Sequence, residues 1–430
     1  MRVATKIVCL ACAVVCFQTA RSVSGSSIPG KRAGCVAIPE WFPRTPPPTN
    51  SRPDPDSDCA FYKWAWQEFL FVTQPAGEGN DRPRFLDFST RSDLTSAEND
   101  RADGIRTIIP RDPSAIRQAG SLGMVVDQSG RVLYYATHFN VEFAKFVRAL
   151  RKTVPLTDVS SDPQFPKGSL ELKSSWKVVA PGDDVSRFFT VKTSIPWFKV
   201  SPNGQMLVDA SRSREETLAL LGMHIVGIVE GHPEFIWATF EHNDNAPELP
   251  VGQSPRSPQP VDSTRGWTLY RKGAKASDCN NKLDNSRLTR LFNQEDQTWA
   301  TPVSVFREFA FGGDDEPQDI RRLNDSVRLL LPPELAVWKN YSFMGAMWLH
   351  DPDRDFKENS DFNGEAAAHP ERKVLGGDTR LSNATMETFT QSIQNCFSCH
   401  NTMARTTNQQ VHIPGRKVNM SHVLNIAATH

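Results

Sequence analysis

Hydrophobic residues near the start of the chain recur at helical spacing. In "CAFYKWAWQEFLFVTQP", which begins at Cys59, a mostly apolar set shares one helical face: Phe61, Trp64, Ala65, Glu68, Phe69 and Val72. Steps of three and four residues are typical of an α-helix, and Pro75 then marks its end. The pattern predicts a buried helix and favours a core role for its aromatic residues over a ligand-binding role.

The pattern changes to period two further along the chain. After a second helical stretch, "FNVEFAKFVRALRK", the segment "GSLELKSSWKVV" alternates strictly. One side carries Leu170, Leu172, Ser174 and Trp176, and the other carries Glu171, Lys173, Ser175 and Lys177. Alternation of this kind predicts a β-strand with two different faces.

Other strand-like runs are separated by turn residues. They are "RVLYYATH", "RFFTVKTSI", "QMLVDA", "LGMHIVGIV", "EFIWATFEH", "GWTLYR", "TPVSVFREF" and "YSFMGAMWLH". Frequent strands with short turns favour the α+β class, with a predominantly antiparallel, β-rich body that is sandwich or barrel-like. We expect flanking helices and a C-terminal helix that bears a cofactor, for the reasons given below.

Composition divides the chain into five segments. Residues 1–25 have a basic start and an apolar run, "IVCLACAVVCF", which is too short to span a bilayer and predicts a signal peptide. Residues 26–58 form a Pro-rich lead-in, and 59–350 form the β-rich body, with a Pro- and Ser-rich loop at 243–265. A charged linker at 351–378 precedes a C-terminal segment, 379–430. The mature chain is therefore expected to be periplasmic or secreted and to contain no transmembrane segment.

The charge balance bears on possible partners, and the cysteine content bears on possible disulfides. Lys plus Arg total 49, and Asp plus Glu also total 49. The chain therefore lacks the excess of basic residues that would indicate nucleic acid as a partner. Beyond the signal region and the C-terminal pair, three cysteines remain: Cys35, Cys59 and Cys279. In an oxidising compartment two of them are expected to form a disulfide, and the sequence leaves open which two.

The most specific motif is C-x-x-C-H in "SIQNCFSCHNTMAR". Cys396 and Cys399 are spaced to bond the two vinyl groups of a haem, and His400 is placed to bind its iron. The preceding residues carry apolar side chains at helical steps, which predicts a helix over 382–400. We therefore predict one covalent haem c, with His400 as the proximal iron ligand.

Three other interpretations of this motif remain open. A thioredoxin-like pair would open a helix within a βαβ unit, whereas this pair follows a β-rich body. A zinc site would need further ligands, and His412 and His422 are too widely spaced for a usual finger. The third alternative is a disulfide within the motif.

The chain resembles an uncharacterised family of exported bacterial single-haem c-type cytochromes with a large body. The similar stretches are "WAWQEFL", "SLELKSSWKVV", "GMHIVGIVEGHPEFIWATFEHNDNAP", "WKNYSFMGAMW" and "SNATMETFTQSIQNCFSCH". They extend from the aromatic helix to the haem motif, and only the last is chemically specific. The resemblance implies haem binding and electron transfer, and it implies no substrate.

Only thirty residues follow His400, too few for the whole domain of a small cytochrome. The C-terminal segment is therefore expected to dock on the body, near Trp237 and Phe240. The sixth iron ligand is open, and its candidates, as distal ligands or haem-pocket residues, are His224, His242, His412, Met420 and His422.

Two classes of function stay open at this point. The first is an electron carrier or the haem subunit of a redox complex, whose partner is a protein or a small-molecule donor or acceptor. The second is a haem enzyme, peroxidase- or oxidase-like, with an open distal site. A haem sensor is a third, less favoured alternative.

Overall fold

An eight-stranded antiparallel sheet forms the centre of the fold. The computed structural model describes residues 34–42, 44–45, 48–54, 57–77, 80–95, 108–153, 164–309, 317–350, 375–378, 380–392, 396–398, 400, 405–406, 412–413 and 421. The strands of the sheet are β1 (Ser89–Thr90), β2 (Tyr134–Phe139), β3 (Leu170–Val178), β4 (Thr190–Val200), β5 (Met206–Val229), β6 (His232–His242), β7 (Tyr341–Leu349) and β8 (Leu375–Gly377).

The order of the strands across the sheet is β8-β7-β6-β5-β3-β2-β1, and β4 pairs with the first half of β5. Strand β5 is 24 residues long, so it extends past the sheet and forms a long hairpin with β4. Three two-stranded ribbons lie outside the sheet: Pro75–Gly77 with Asn80–Pro83, Phe292–Asn293 with Thr298–Trp299, and Arg405–Thr406 with His412–Ile413.

Five α-helices are present in the described part of the chain. They are α1 (Asp58–Thr73), α2 (Arg91–Thr95), α3 (Val141–Thr153), α4 (Asn285–Arg290) and α5 (Pro317–Leu330). Short 3-10 helices occur at Pro39–Trp41, Arg84–Asp87, Pro113–Ile116, Ala276–Asp278, Pro333–Asn340 and Cys396–Ser398.

Helices α1 and α5 cover one side of the sheet, which we call the helical face. Phe69 of α1 stacks on Phe240 of β6 at 4.2 Å between ring centroids. Trp66 Nε1 donates to Asn324 Oδ1 at 2.9 Å, which joins α1 to α5. Full burial of an aromatic side chain such as Phe69 stabilises the fold by roughly 1.5–3 kcal/mol.

The opposite side, the cavity face, is covered by α3 and by the C-terminal segment. Phe143 of α3 stacks on Phe139 of β2, and both belong to an apolar cluster with Val226 and Trp237. Successive residues along a strand point to opposite faces of the sheet. Strands β2, β5, β6 and β7 therefore contribute residues both to the apolar cluster under the helical face and to the one on the cavity face.

The α+β class, the antiparallel β-rich body and the first two predicted helices are confirmed. The sandwich or barrel-like form is not what the described residues show, because helices and a C-terminal segment cover the main sheet in place of a second large sheet. The strands predicted at "GWTLYR" and "TPVSVFREF" are wrong. These stretches make only isolated bridges, Trp267 with Tyr270 and Arg307 with Glu248.

A disulfide joins Cys35 to Cys59, whose Cα atoms are 5.5 Å apart, while Cys279 is buried elsewhere. It ties the lead-in to the start of α1. Closing a loop with a sequence separation of 24 is expected to stabilise the fold by about 3 kcal/mol, because the crosslink restricts the unfolded chain.

We expect reductant to lower the free energy of unfolding, measured in urea, by this amount. The Cys35→Ala/Cys59→Ala variant should be insensitive to reductant, and equal sensitivity in that variant would contradict the assignment.

Glu68 is a charged residue in the core, with 3% of its surface exposed. Burial raises the pKa of this carboxyl from 4.5 to about 8. Because the folded state holds the proton more tightly than the unfolded chain does, the free energy of unfolding falls as pH rises through this window. The expected loss is on the order of 5 kcal/mol at 1.36 kcal/mol per pKa unit.

The variant Glu68→Gln should remove that part of the pH dependence. We expect its free energy of unfolding, measured in urea between pH 5 and pH 9, to fall less steeply than that of the wild type. Parallel curves for the two proteins would show that Glu68 does not titrate in this way.

Candidate functional site

A cavity of about 1160 Å³ lies on the cavity face of the sheet, and Cys396 and His400 both line it. Its other walls are strands β2, β3, β5 and β6, residues 108–122, and residues 381–390. The volume exceeds the roughly 300–1,000 Å³ of usual small-molecule sites. The C-x-x-C-H motif therefore lines a space large enough for a large cofactor.

The register of the sheet determines the floor of this cavity. One row of paired residues crosses four strands: Phe139, Glu171, Val226 and Trp237. A second row, two residues away along each strand, contains Thr137, Lys173 and His224. Since side chains two apart on a strand share a face, all of these line the cavity.

The motif is held against this floor by two aromatic contacts. Phe397 is completely buried in the apolar cluster that contains Phe139 and Trp237. The imidazole of His400 lies over the indole of Trp237, with ring centroids 4.1 Å apart and planes inclined at 47°. Cys396 and His400 are themselves half-buried, and the backbone N–H of His400 donates to the carbonyl oxygen of Cys396 at 2.9 Å.

The helix predicted over 382–400 is wrong for its described part. Residues 384–392 form turns and a bend, and Cys396–Ser398 is a short 3-10 turn. Side-chain oxygens accept hydrogen bonds from backbone N–H groups of this segment. Glu241 Oε1 accepts from Ala384 N at 2.8 Å, and Asn383 Oδ1 accepts from Thr385 N at 2.9 Å. Such local bonds compete with helix formation.

His224 is a candidate ligand that lies in the cavity. Its Nε2 is 3.0 Å from Glu387 Oε1. Burial raises the pKa of Glu387, but the charge and hydrogen bond of His224, the charge of Lys173 and the N–H of Asn383 together lower it to about 2. Glu387 is therefore anionic at neutral pH, and it fixes the orientation of the His224 ring.

Four buried polar atoms on the cavity wall have no hydrogen-bond partner within the described part of the chain. They are Arg117 Nε, Glu171 Oε2, Trp237 Nε1 and Ser382 Oγ. Buried polar groups are normally paired, and leaving one unpaired costs about 1–3 kcal/mol. Their concentration here indicates that the wall is built to contact a ligand.

Glu171 stands out among these groups. Burial raises the pKa of this carboxyl, whereas the hydrogen bond from Ser421 and the charge of Lys173 lower it. The net effect raises the pKa from 4.5 to about 7. Glu171 is therefore able to give or take a proton near neutral pH.

The residues present fit a c-type haem. The motif supplies a thiol and an imidazole, and apolar walls such as Ile108, Ile109 and Val226 suit a porphyrin ring. Arg91, Arg111, Arg117 and Lys173 also line the cavity, and cationic donors bind carboxylates such as those at a haem edge.

His242 is not brought into this cavity. Its Nε2 lies 3.0 Å from the carbonyl oxygen of Arg187, its Nδ1 accepts from Asp244 N at 3.1 Å, and its ring stacks on Phe188. Burial lowers the pKa of His242 to about 4. Both ring nitrogens are thus used in holding the turn after β6, which is a structural role.

The remaining candidate residues lie partly or wholly outside the described residues. His412 belongs to a two-residue strand paired with Arg405–Thr406, and its side chain lies outside the described set. Cys399, Met420 and His422 also lie outside the described residues, as does the signal region. Ser421, which stands between two of them, is buried and hydrogen-bonds Glu171.

Sequence reasoning missed several residues of the cavity. Ser382 and Glu387 lie within the segment that the sequence predicts to be helical, and residues 108–122 belong to none of the predicted helices or strands. Glu171 and Lys173 were visible as the polar side of an alternating strand, but only the strand pairing places them beside His224 and Val226.

No protein family, curated protein or solved structure matches this chain. Among the described residues, no helix has the length and apolar character needed to cross a membrane. In the same residues, no group of three or more His, Cys, Asp or Glu side chains is arranged to hold a metal ion.

Proposed function

We propose that this protein is an exported c-type cytochrome that carries one covalent haem and takes part in electron transfer. The observation that carries the proposal is the position of Cys396 and His400 on the wall of a large cavity. Four buried polar atoms of that wall have no hydrogen-bond partner among the described residues. The resemblance to exported bacterial single-haem cytochromes supports the same conclusion.

Each residue of the motif has a defined role in this proposal. Cys396 and Cys399 form thioether bonds to the vinyl groups, and His400 binds the iron through its imidazole. Trp237 packs against the His400 ring and limits its rotation. When bound, the haem supplies a one-electron couple, and the apolar wall excludes water from it.

The half-buried positions of Cys396 and His400 suit electron transfer at a partly exposed edge. An electron donor or acceptor, either a redox protein or a small molecule, would approach that edge. Among the described candidates for a sixth ligand, His224 is the one that lines the cavity.

A second candidate function is a haem enzyme with an open distal site. The observation that favours it is Glu171, whose pKa of about 7 is suited to general acid–base chemistry. A simple carrier has no need for such a group in its haem pocket.

Optical spectra of the exported protein, oxidised and reduced, with and without carbon monoxide, test both functions. A carrier with two protein ligands should show a reduced spectrum that carbon monoxide leaves unchanged. A spectral change with carbon monoxide would favour the enzyme. The absence of any haem spectrum in protein made with haem-attachment machinery would contradict both.

A further inference from the structure

Two hydrogen-bond donors on the cavity wall are more than nine-tenths buried. Trp237 is 7% exposed and Ser382 is 8% exposed. Neither Trp237 Nε1 nor Ser382 Oγ has a partner among the described residues, and both side chains line the cavity. An indole N–H can only donate, so a ligand that pairs with Trp237 must accept.

Trp237 contacts the His400 ring, with ring centroids 4.1 Å apart, and Ser382 lines the same cavity. Asn383 Nδ2 donates to Thr239 Oγ1 at 2.9 Å and to the carbonyl oxygen of Phe240 at 3.1 Å, which fixes the neighbouring Ser382 above β6. Trp237 is two residues before Thr239 on the same face of that strand. Strand β6 therefore carries Trp237 and holds the segment of Ser382, and both donors line the cavity.

The chemistry of the surrounding groups indicates an anionic acceptor. The acidic residues of the wall mostly have internal donors: Asp93 Oδ2 accepts from Thr90 N, Asp112 Oδ1 accepts from Ser114 N, and Glu387 pairs with His224. Arg117 Nε, in contrast, has no acceptor within the described residues. Of the four unpartnered atoms on the wall, three belong to groups that donate and one, Glu171 Oε2, is a carboxyl oxygen. Donors are therefore in excess, and carboxylate oxygens are acceptors that such donors bind well.

We infer that Trp237 and Ser382 form a carboxylate-binding site. Trp237 Nε1 and Ser382 Oγ each donate a hydrogen bond to a carboxylate oxygen beside His400. Two sources supply this chemistry: a propionate group of the haem, which rests on the proposed function, and a free small organic acid.

The test uses the whole exported protein and three variants. Trp237→Phe and Ser382→Ala each remove one donor. Trp299→Phe is the matched control, because Trp299 Nε1 is equally buried and unpartnered among the described residues but does not line the cavity. Intact mass after denaturation first establishes whether haem is attached.

With haem attached, redox infrared difference spectra of protein carrying ¹³C-labelled haem propionates identify the first source. The labelled carboxylate bands should shift in Trp237→Phe and Ser382→Ala and stay fixed in Trp299→Phe. A titration with acetate identifies the second source, with binding at least tenfold weaker in the first two variants than in the control.

Unchanged propionate bands together with unchanged acetate binding in both donor variants would overturn the carboxylate site while leaving haem binding intact. If no haem is attached, the proposed function fails by itself. The acetate titration, followed through the ¹⁵N indole signal of Trp237, then decides the carboxylate site independently: a shift on addition of acetate supports it, and no shift overturns it.

Discussion

Replacement of Cys396 and Cys399 together by alanine should give a protein without covalent haem. The two thioether bonds are the only covalent links that the motif offers, so their loss leaves haem held by weaker contacts with His400 and the cavity wall. Mass spectrometry of the denatured protein should show the bare mature polypeptide, whereas the wild type should show the polypeptide plus one haem.

The matched control for this experiment is Cys279→Ala. Cys279 is buried, and it lies in a separate apolar cluster with Tyr270 and Phe306. The control should keep the full mass of the haem-bearing protein. Covalent haem in the double variant, or its loss in the control, would show that attachment does not depend on this motif.

Replacement of Glu241 by alanine should destabilise the protein by about 3–5 kcal/mol. Glu241 Oε2 accepts from Arg307 Nη2 at 2.8 Å, and Glu241 Oε1 accepts from Ala384 N at 2.8 Å. Glu241 and Arg307 are 1% and 5% exposed. The variant removes an anionic partner at 2.8 Å from a buried guanidinium, whose ion pair with Glu248 is longer, at 3.7 Å. It also releases the segment that carries Glu387.

The measurement is urea unfolding of the wild type, Glu241→Ala and a surface control, Asp325→Ala. Asp325 pairs with Arg328 at 3.0 Å, but its side chain is 71% exposed, so its loss should cost at most about 1 kcal/mol. The double variant Glu241→Ala/Arg307→Leu should recover part of the lost stability, since it also removes the uncompensated charge. If Glu241→Ala lowers the free energy of unfolding no more than the surface control does, Glu241 does not anchor the C-terminal segment.

Elements with a simple periodic pattern were predictable from the sequence. Helix α1 combines an apolar face with a proline stop, and β3 combines alternation with flanking turn residues. Helix α5 was missed although Ile320, Leu323 and Val327 repeat at helical steps and are completely buried.

Other elements depend on partners that are distant along the chain. The pattern over 382–400 is helical, yet Glu241 and Tyr135 hold the backbone of Ala384 and Thr385 in turns. "GWTLYR" has strand character, but the Tyr270 hydroxyl instead binds backbone groups of residues 261, 262 and 274. Long-range side-chain bonds of this kind leave no local pattern to read.

The candidate site also contains residues that the sequence predicts and residues that only the structure reveals. The haem attachment that we propose for Cys396, Cys399 and His400 was predicted from their spacing alone. The floor formed by Glu171, His224 and Trp237 follows from strand register, which a single sequence does not determine. The unpartnered atoms of Trp237 and Ser382 can be recognised only once the neighbours of each atom are known.

The most direct test of the central claim is the intact mass of the wild-type protein, exported from cells that contain haem-attachment machinery and then denatured. We predict the mass of the mature polypeptide plus one haem, bound through Cys396 and Cys399. The mass of the bare mature polypeptide would contradict the assignment of this chain as a c-type cytochrome.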